Sequence, residues 1–154
     1  MAIDVRFGTK LRNLSARWVR KIVAKTLALE KKKGYSVSIL LTDNREVRRI
    51  NRRYLHHDYA TDVISFWLDR GTLTPKEASH LGDMAVSVQM ARSMSKRLGV
   101  PFKEELARYL IHGTLHLLGY NDVVKKDRIR MHRRQESILK IIFHEKKNFS
   151  SKFK

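Results

Sequence analysis

The chain has 154 residues, the size of one domain with a single hydrophobic core. It carries 33 lysine and arginine residues against 15 aspartate and glutamate residues, and the resulting charge of +18 favours a polyanionic partner. The absence of cysteine excludes disulfides and thiolate metal ligands, and no apolar run approaches the ~18 residues of a membrane span. The opening residues also lack an apolar signal core, so we expect a cytoplasmic protein with no membrane partner.

Nucleic acid is the polyanion that the charge distribution favours. A membrane-surface protein concentrates its basic residues on one face of an amphipathic helix, whereas the basic residues of this chain are spread over several segments. Binding to a membrane surface is therefore the weaker alternative.

Hydrophobic periodicity and capping signals predict four strands and five helices in one domain. In chain order, the predicted elements are a strand at 2–7, a helix from Gly8-Thr9 to about 32, a strand at 35–41, a helix from 43 to about 55, strands at 62–68 and 82–86 separated by a loop with a short helical turn near residue 75, and helices at about 87–98, 104–118 and 123–142. This order predicts an α+β fold (an α/β sandwich), in which about five helices pack on a mixed, roughly four-stranded sheet. The domain is predicted to span 1–142, with a basic C-terminal tail at 143–154.

The segment HGTLHLLGYND, from His112 to Asp122, carries the pattern most directly tied to chemistry. His112 and His116 lie four residues apart on a predicted helix, so their imidazoles share one face and can reach one metal ion. Gly119 predicts the end of that helix, after which Asp122 can turn back toward the same ion. Two nitrogens and one oxygen, with a fourth position open, are typical of catalytic zinc. The sequence therefore predicts one divalent metal ion, with zinc as the first candidate.

Simpler interpretations of these residues stay open. A histidine on a buried helix face is more often a core residue than a metal ligand. Asp122 has an alternative as the N-cap of the helix predicted from Val123. The two roles are compatible, because a carboxylate has two oxygens.

Gly113 argues against peptide hydrolysis. Metallopeptidases with this kind of helix carry a glutamate directly after the first histidine, where it serves as the general base. Gly113 has no side chain, and no other residue of the motif can take that part. A metallopeptidase is therefore the poorest of the candidate functions.

Three blocks of the sequence together resemble the YbeY-type rRNA maturation endoribonucleases. HGTLHLLGYND is similar to that family's H-G-x-L-H-L-x-G-Y-D-H pattern, and the segments 51–66 and 81–87 resemble its two upstream blocks in the same order. The resemblance implies a metal-dependent, single-strand-specific endoribonuclease of the cytoplasm. It also implies a role in ribosomal RNA processing, including small-subunit 3′-end maturation, and in ribosome quality control. Ribosomal RNA and the ribosome or its small subunit would then be the partners.

The chain departs from the family pattern at two positions. Asp122 replaces the last histidine, which is the family's third metal ligand, and adds a negative charge that should slow hydrolysis or change the metal preference. Leu55 stands where the family usually carries an arginine thought to matter for RNA cleavage. Arg49, Arg52 and Arg53 are then the first candidates for binding the RNA backbone.

A non-catalytic RNA-binding assembly factor is the alternative from another functional class. In that protein the metal would only fix the end of the helix, and the changes at Leu55 and Asp122 give this alternative its weight. For the catalytic hypothesis, the sequence leaves open whether water or the RNA's own 2′-hydroxyl attacks phosphorus.

Overall fold

The computed structural model describes residues 3–11, 14–55, 61–66 and 80–145, without the side chains of residues 144 and 145. These residues form four strands and five helices in the order βαβαββααα, followed by a short π-helix. The elements are β1 (Ile3–Phe7), α1 (Ala16–Leu29), β2 (Ser36–Thr42), α2 (Asn44–Leu55), β3 (Val63–Phe66), β4 (His80–Ser87), α3 (Val88–Leu98), α4 (Phe102–Leu117), α5 (Lys125–Lys140) and the π-helix Ile141–Glu145. The predicted α+β fold is confirmed. No described helix combines the length and the apolar character that crossing a membrane needs.

The four strands form one mixed sheet in the order β1-β2-β4-β3. β1, β2 and β4 are parallel, as expected where a helix such as α1 connects neighbouring strands. β3 lies at the edge and pairs antiparallel with β4, so that Val63 is opposite Val86. This edge strand carries one side of the site described below.

The two faces of the sheet contribute to two apolar clusters of different size. Val37, Ile39 and Leu41 alternate along β2 and belong to the larger cluster, which also holds the buried residues of α1 and α4. On the opposite face, Ile64 and Ala85 belong to the smaller cluster with the buried residues of α2. Helix α4 contacts α1, α3, α5 and the strands β3 and β4, so it lies at the centre of the domain.

The predicted start of the first helix at Gly8-Thr9 is wrong. Helix α1 begins at Ala16, and its N-cap Ser15 accepts a hydrogen bond from the Trp18 amide at 3.1 Å. Gly8 instead continues the pairing of β1 with β2, since its amide donates to the Leu41 carbonyl at 2.8 Å. A Cβ at Gly8 would lie 2.7 Å from Thr42 Oγ1, so this glycine is explained by a close approach between strands.

Other boundaries differ less from the prediction. The last helix begins at Lys125 instead of Val123. Helix α2 begins next to residue 43, as predicted, and Asp43 Oδ1 accepts a hydrogen bond from the Glu46 amide at 2.9 Å. Gly99 ends α3 in the left-handed conformation, with a φ of 68°. Residues 67–68 of the third predicted strand, the predicted turn near residue 75 and residues 146–154 of the tail lie outside the described residues.

Candidate metal centre

The end of helix α4 brings three possible metal ligands together. His112 and His116 lie on its last turns, with their ring centroids 4.9 Å apart. Gly119 then takes a φ of 100°, a conformation that favours glycine, and the chain reverses. As a result Asp122 Oδ2 lies 3.2 Å from His116 Nε2. One ligand atom from each of the three residues lies within 4.8 Å of the others.

The alternative role of Asp122 as a helix N-cap is wrong. The N-cap of α5 is Val124, and no side chain makes the capping hydrogen bond. The tight turn before the helix is formed by Asn121, whose Oδ1 accepts from the Val123 amide at 2.8 Å. The Asp122 carboxylate therefore faces His116, and its side chain remains 45% exposed.

The three side chains fit a small divalent cation. Histidine nitrogens and a carboxylate oxygen are a donor set that zinc accepts, with bonds of ~2.0–2.2 Å. Donors spread over 4.8 Å must move closer together to form such bonds. The half-exposed Asp122 can rotate to do so, because it is not enclosed by the core.

Gly113 allows helix α4 to approach the sheet closely. A Cβ at this position would lie 2.9 Å from Val63 Cγ2 and 3.0 Å from Met84 Sδ. Ser65 Oγ also donates to the Gly113 carbonyl at 3.1 Å, which ties β3 to the helix between the two histidines. The glutamate that metallopeptidases carry here has no room in this packing.

A cleft of about 580 Å³ opens beside His116 and Asp122, whereas His112 lines a separate pocket next to Gln135. Its walls come from the end of α2, the strand β3 and the loop between α4 and α5. The lining residues are Asn51, Leu55, Thr61, Val63, Ile64, Ser65, His116, Gly119, Tyr120, Asn121, Asp122 and Val123. The cleft thus combines the polar groups of the candidate centre with an apolar wall.

The predicted RNA-binding arginines lie on α2 but do not line this cleft. Arg49 forms a bidentate ion pair with Glu46, with distances of 3.0 and 2.7 Å. This hydrogen bonding lowers the pKa of Glu46 and raises the pKa of Arg49. Arg52 is exposed, and the Arg53 guanidinium lies 5.5 Å from the centroid of the Tyr54 ring. The structure therefore places these arginines beside the site and not inside it.

Helix α5 presents a second set of cations, outside the arginines predicted to bind RNA. The helix begins three residues after Asp122, and many of its exposed side chains are basic. The exposed basic residues in its first three turns are Lys125, Lys126, Arg128, Arg130 and Arg133. Arg130 also lies over the ring of Tyr120, a residue that lines the cleft. A positively charged surface therefore leads away from the candidate centre.

Gln135 on α5 is a further residue of the site that the sequence does not predict. Its side chain is nearly buried, with 6% exposure, and its Oε1 lies 2.7 Å from His112 Nδ1. The two residues are 23 positions apart. No local spacing indicates this contact, because it arises from the packing of α5 on α4.

Comparisons with known proteins relate this architecture to one family. Residues 6–142 match the family described as Endoribonuclease YbeY. A relative with that name from Syntrophus aciditrophicus is 39% identical over 121 residues, covering 79% of this chain and 76% of that protein. Another, from Flavobacterium psychrophilum, is 35% identical over 145 residues, covering 94% and 96%. The solution structure of a Thermotoga maritima protein shares the fold, with a TM-score of 0.63 at 20% identity over 98% of this chain and 95% of that one.

Proposed function

This chain belongs to the Endoribonuclease YbeY family, and on that basis we propose that it is a metal-dependent endoribonuclease that cleaves single-stranded RNA. Ribosomal RNA is its proposed substrate, including the 3′ end of the small-subunit RNA, with the ribosome as partner. A part in ribosome quality control and a cytoplasmic location belong to the same proposal.

One observation carries the catalytic part of the proposal. His112, His116 and Asp122 offer three ligand atoms within 4.8 Å of one another, and two of these residues, His116 and Asp122, line a cleft. A divalent ion held by them, zinc as the first candidate, would supply Lewis-acid activation of water or of a phosphate oxygen. Because His116 and Asp122 line the cleft, an RNA strand bound in it would lie next to the proposed metal.

The protein's own residues provide position and charge around this site. The α4–β3 packing at Gly113 and Ser65 fixes the helix that carries both histidines. Leu55, Val63 and Val123 give the cleft an apolar wall. The two histidines are thus carried by a helix whose position relative to β3 is fixed.

We assign the binding of the RNA backbone to exposed cations on both sides of the cleft. Arg52 and Arg53 lie on α2, and the basic face of α5 lies on the other side. Tyr54 is 59% exposed and contacts Phe66 edge-on with ring centroids 5.6 Å apart, which suits the stacking of an unpaired base. These groups recognise phosphates and unstacked bases, in keeping with a single-stranded substrate.

The metal content and the cleavage activity of two histidine variants test this proposal. His116→Ala removes a proposed ligand, whereas His132→Ala changes an exposed histidine of α5 outside the cluster. We expect about one metal ion per chain and RNA cleavage for the wild type and for His132→Ala. We expect neither for His116→Ala. Metal content is measured by elemental analysis, and cleavage is followed on end-labelled single-stranded and hairpin RNAs, with and without a chelator.

The outcomes separate the proposal from its alternatives. Full cleavage by metal-free His116→Ala would contradict it. RNA binding that survives the chelator, without cleavage in either condition, would favour the non-catalytic assembly factor. One observation favours that alternative: Leu55 lines the cleft at the position where the family usually carries an arginine.

A further inference from the structure

A continuous chain of polar contacts runs from His112 through helix α5 and back to helix α4. His112 Nδ1 lies 2.7 Å from Gln135 Oε1, and Gln135 Nε2 donates to Glu136 Oε2 at 3.0 Å. Glu136 in turn accepts two hydrogen bonds from Arg108, at 2.9 and 3.1 Å. Arg108 also forms an ion pair with Glu105, which is 3% exposed. This series of contacts thus begins and ends on α4.

The orientation of the Gln135 amide follows from its second partner. An ionised carboxylate only accepts hydrogen bonds, so the Gln135 NH₂ group must point toward Glu136. The amide oxygen then points toward His112, where it can only accept. His112 Nδ1 must therefore carry the proton, and Nε2 is left with its lone pair.

The ionisation of Glu136 supports this direction of the hydrogen bonds. Burial alone would raise the pKa of Glu136, but hydrogen bonds from Arg108 and Gln135 outweigh it and hold this pKa below its usual value. The hydrogen bond with Glu136 likewise raises the pKa of Arg108. Both groups stay charged at neutral pH, so the Gln135 amide has a fixed acceptor on one side.

We propose that Gln135 is the positioning residue for His112, selecting the tautomer whose Nε2 is free to bind a metal, and that Glu136 and Arg108 hold the Gln135 amide in place. The inference rests on the proposed function, because it takes His112 to be a metal ligand. Such hydrogen bonds to the second nitrogen of a histidine ligand fix the ring and raise its basicity, and their loss typically costs about 10–100-fold in metal affinity.

Gln135→Met tests the proposal, because it removes the acceptor and keeps a long unbranched side chain. Met131→Leu is the matched control, since Met131 is a buried residue of the same helix that is 1% exposed. In the metal-free protein, long-range ¹H–¹⁵N spectra report the tautomer of His112. We expect one tautomer, protonated at Nδ1, in the wild type and in Met131→Leu, and a mixture of tautomers in Gln135→Met.

Zinc affinity, measured by competition with a chromophoric chelator, is the second readout. We expect a loss of about 10–100-fold in Gln135→Met and a change of less than about threefold in Met131→Leu. Glu136→Gln gives a second route, because a neutral amide allows Gln135 to rotate and should mix the tautomers in the same way. Gln135→Met with an unchanged tautomer and unchanged zinc affinity would overturn the proposal, as would an equal loss of affinity in Met131→Leu.

The two readouts also separate this inference from the proposed function. If the wild type binds no divalent metal ion, the proposed function fails. The tautomer measurement still decides whether Gln135 controls His112.

Discussion

Asp122 Oδ2 lies 3.2 Å from His116 Nε2, although the two residues are six positions apart in the sequence. The contact depends on Gly119, whose φ of 100° reverses the chain at the end of α4. The Asp122 carboxylate therefore takes the position of the family's third histidine, and it faces His116, another proposed ligand. Replacing Asp122 by histidine therefore compares this chain directly with the pattern of its family.

Variants of Asp122 should separate the effect of its negative charge from its role as a metal ligand. We expect Asp122→Ala to lose more than about 100-fold in zinc affinity, because a ligand is removed and not merely reoriented. Asp122→His keeps a ligand and removes a negative charge, so it should retain zinc and make coordinated water more acidic. Zinc titration and the pH profile of RNA cleavage measure both effects. Equal zinc affinity in the wild type and in Asp122→Ala would contradict the ligand assignment.

Gly113→Ala should destabilise the fold through overpacking. The new Cβ would lie 2.9 Å from Val63 Cγ2 and 3.0 Å from Met84 Sδ. Overpacking of this kind lowers the free energy of unfolding by about 1–3 kcal/mol. The better helix propensity of alanine offsets at most about 1 kcal/mol of this loss. Urea unfolding of the metal-free protein measures the difference. In a Val63→Ala background the same substitution should cost less, and additive effects of the two changes would argue against the contact.

The ion pair of Glu136 with Arg108 should make the stability of the protein depend on pH in the acid range. The pKa of Glu136 is lower in the folded protein than its ordinary value near 4.5. The stabilisation is therefore fully present above the unfolded value and is lost as the pH falls through the folded pKa. We expect the stability difference between the wild type and Glu136→Gln to be constant above about pH 5.5 and to shrink below about pH 4.5.

Denaturant unfolding at a series of pH values measures this difference. Glu46→Gln is the comparison, because Glu46 also pairs with an arginine but lies on the surface of α2. Its effect should be smaller, since exposed pairs contribute little. A Glu136→Gln protein with the same acid profile as the wild type would show that the pair does not contribute.

The basic face of α5 should contribute to RNA binding through phosphate contacts. We expect Lys126→Gln/Arg133→Gln to weaken the binding of single-stranded RNA and to reduce the slope of log K against log salt by about 0.7 for each lost contact. Fluorescence anisotropy between about 50 and 200 mM salt, with a chelator present to stop cleavage, gives the slope. Arg17→Gln/Lys25→Gln removes the same charge from exposed positions of α1. An equal loss in this control would show that only net charge matters.

The sequence predicts the part of the site that depends on local spacing. His112 and His116 share a helix face because they are four residues apart, and Gly119 provides the reversal that returns Asp122. The order of strands and helices follows from periodicity in the same way, and it is confirmed by the fold. These features depend only on residues close together in the chain.

The features that the sequence does not predict depend on packing between distant segments. The sequence predicts a helix start at Gly8, but this glycine is required because Thr42 of the neighbouring strand approaches it closely. The contact of Gln135 with His112 requires the packing of α5 on α4. Arg49 is a predicted contact to the RNA backbone, yet it forms an ion pair with Glu46 on the surface of α2. Neither periodicity nor motif spacing contains this information.

The position of Asp122 in the loop between α4 and α5 has a thermodynamic consequence. In the proposed metal-bound form, one ion would crosslink the end of α4 to this loop, and the unfolded chain has no such preformed site. Binding to the folded state alone adds about 1.4 kcal/mol of stability for each tenfold excess of free metal over its dissociation constant. In a cell short of the metal, the metal-free protein would be both inactive and easier to unfold. Proteolysis would then degrade it faster than the metal-bound protein.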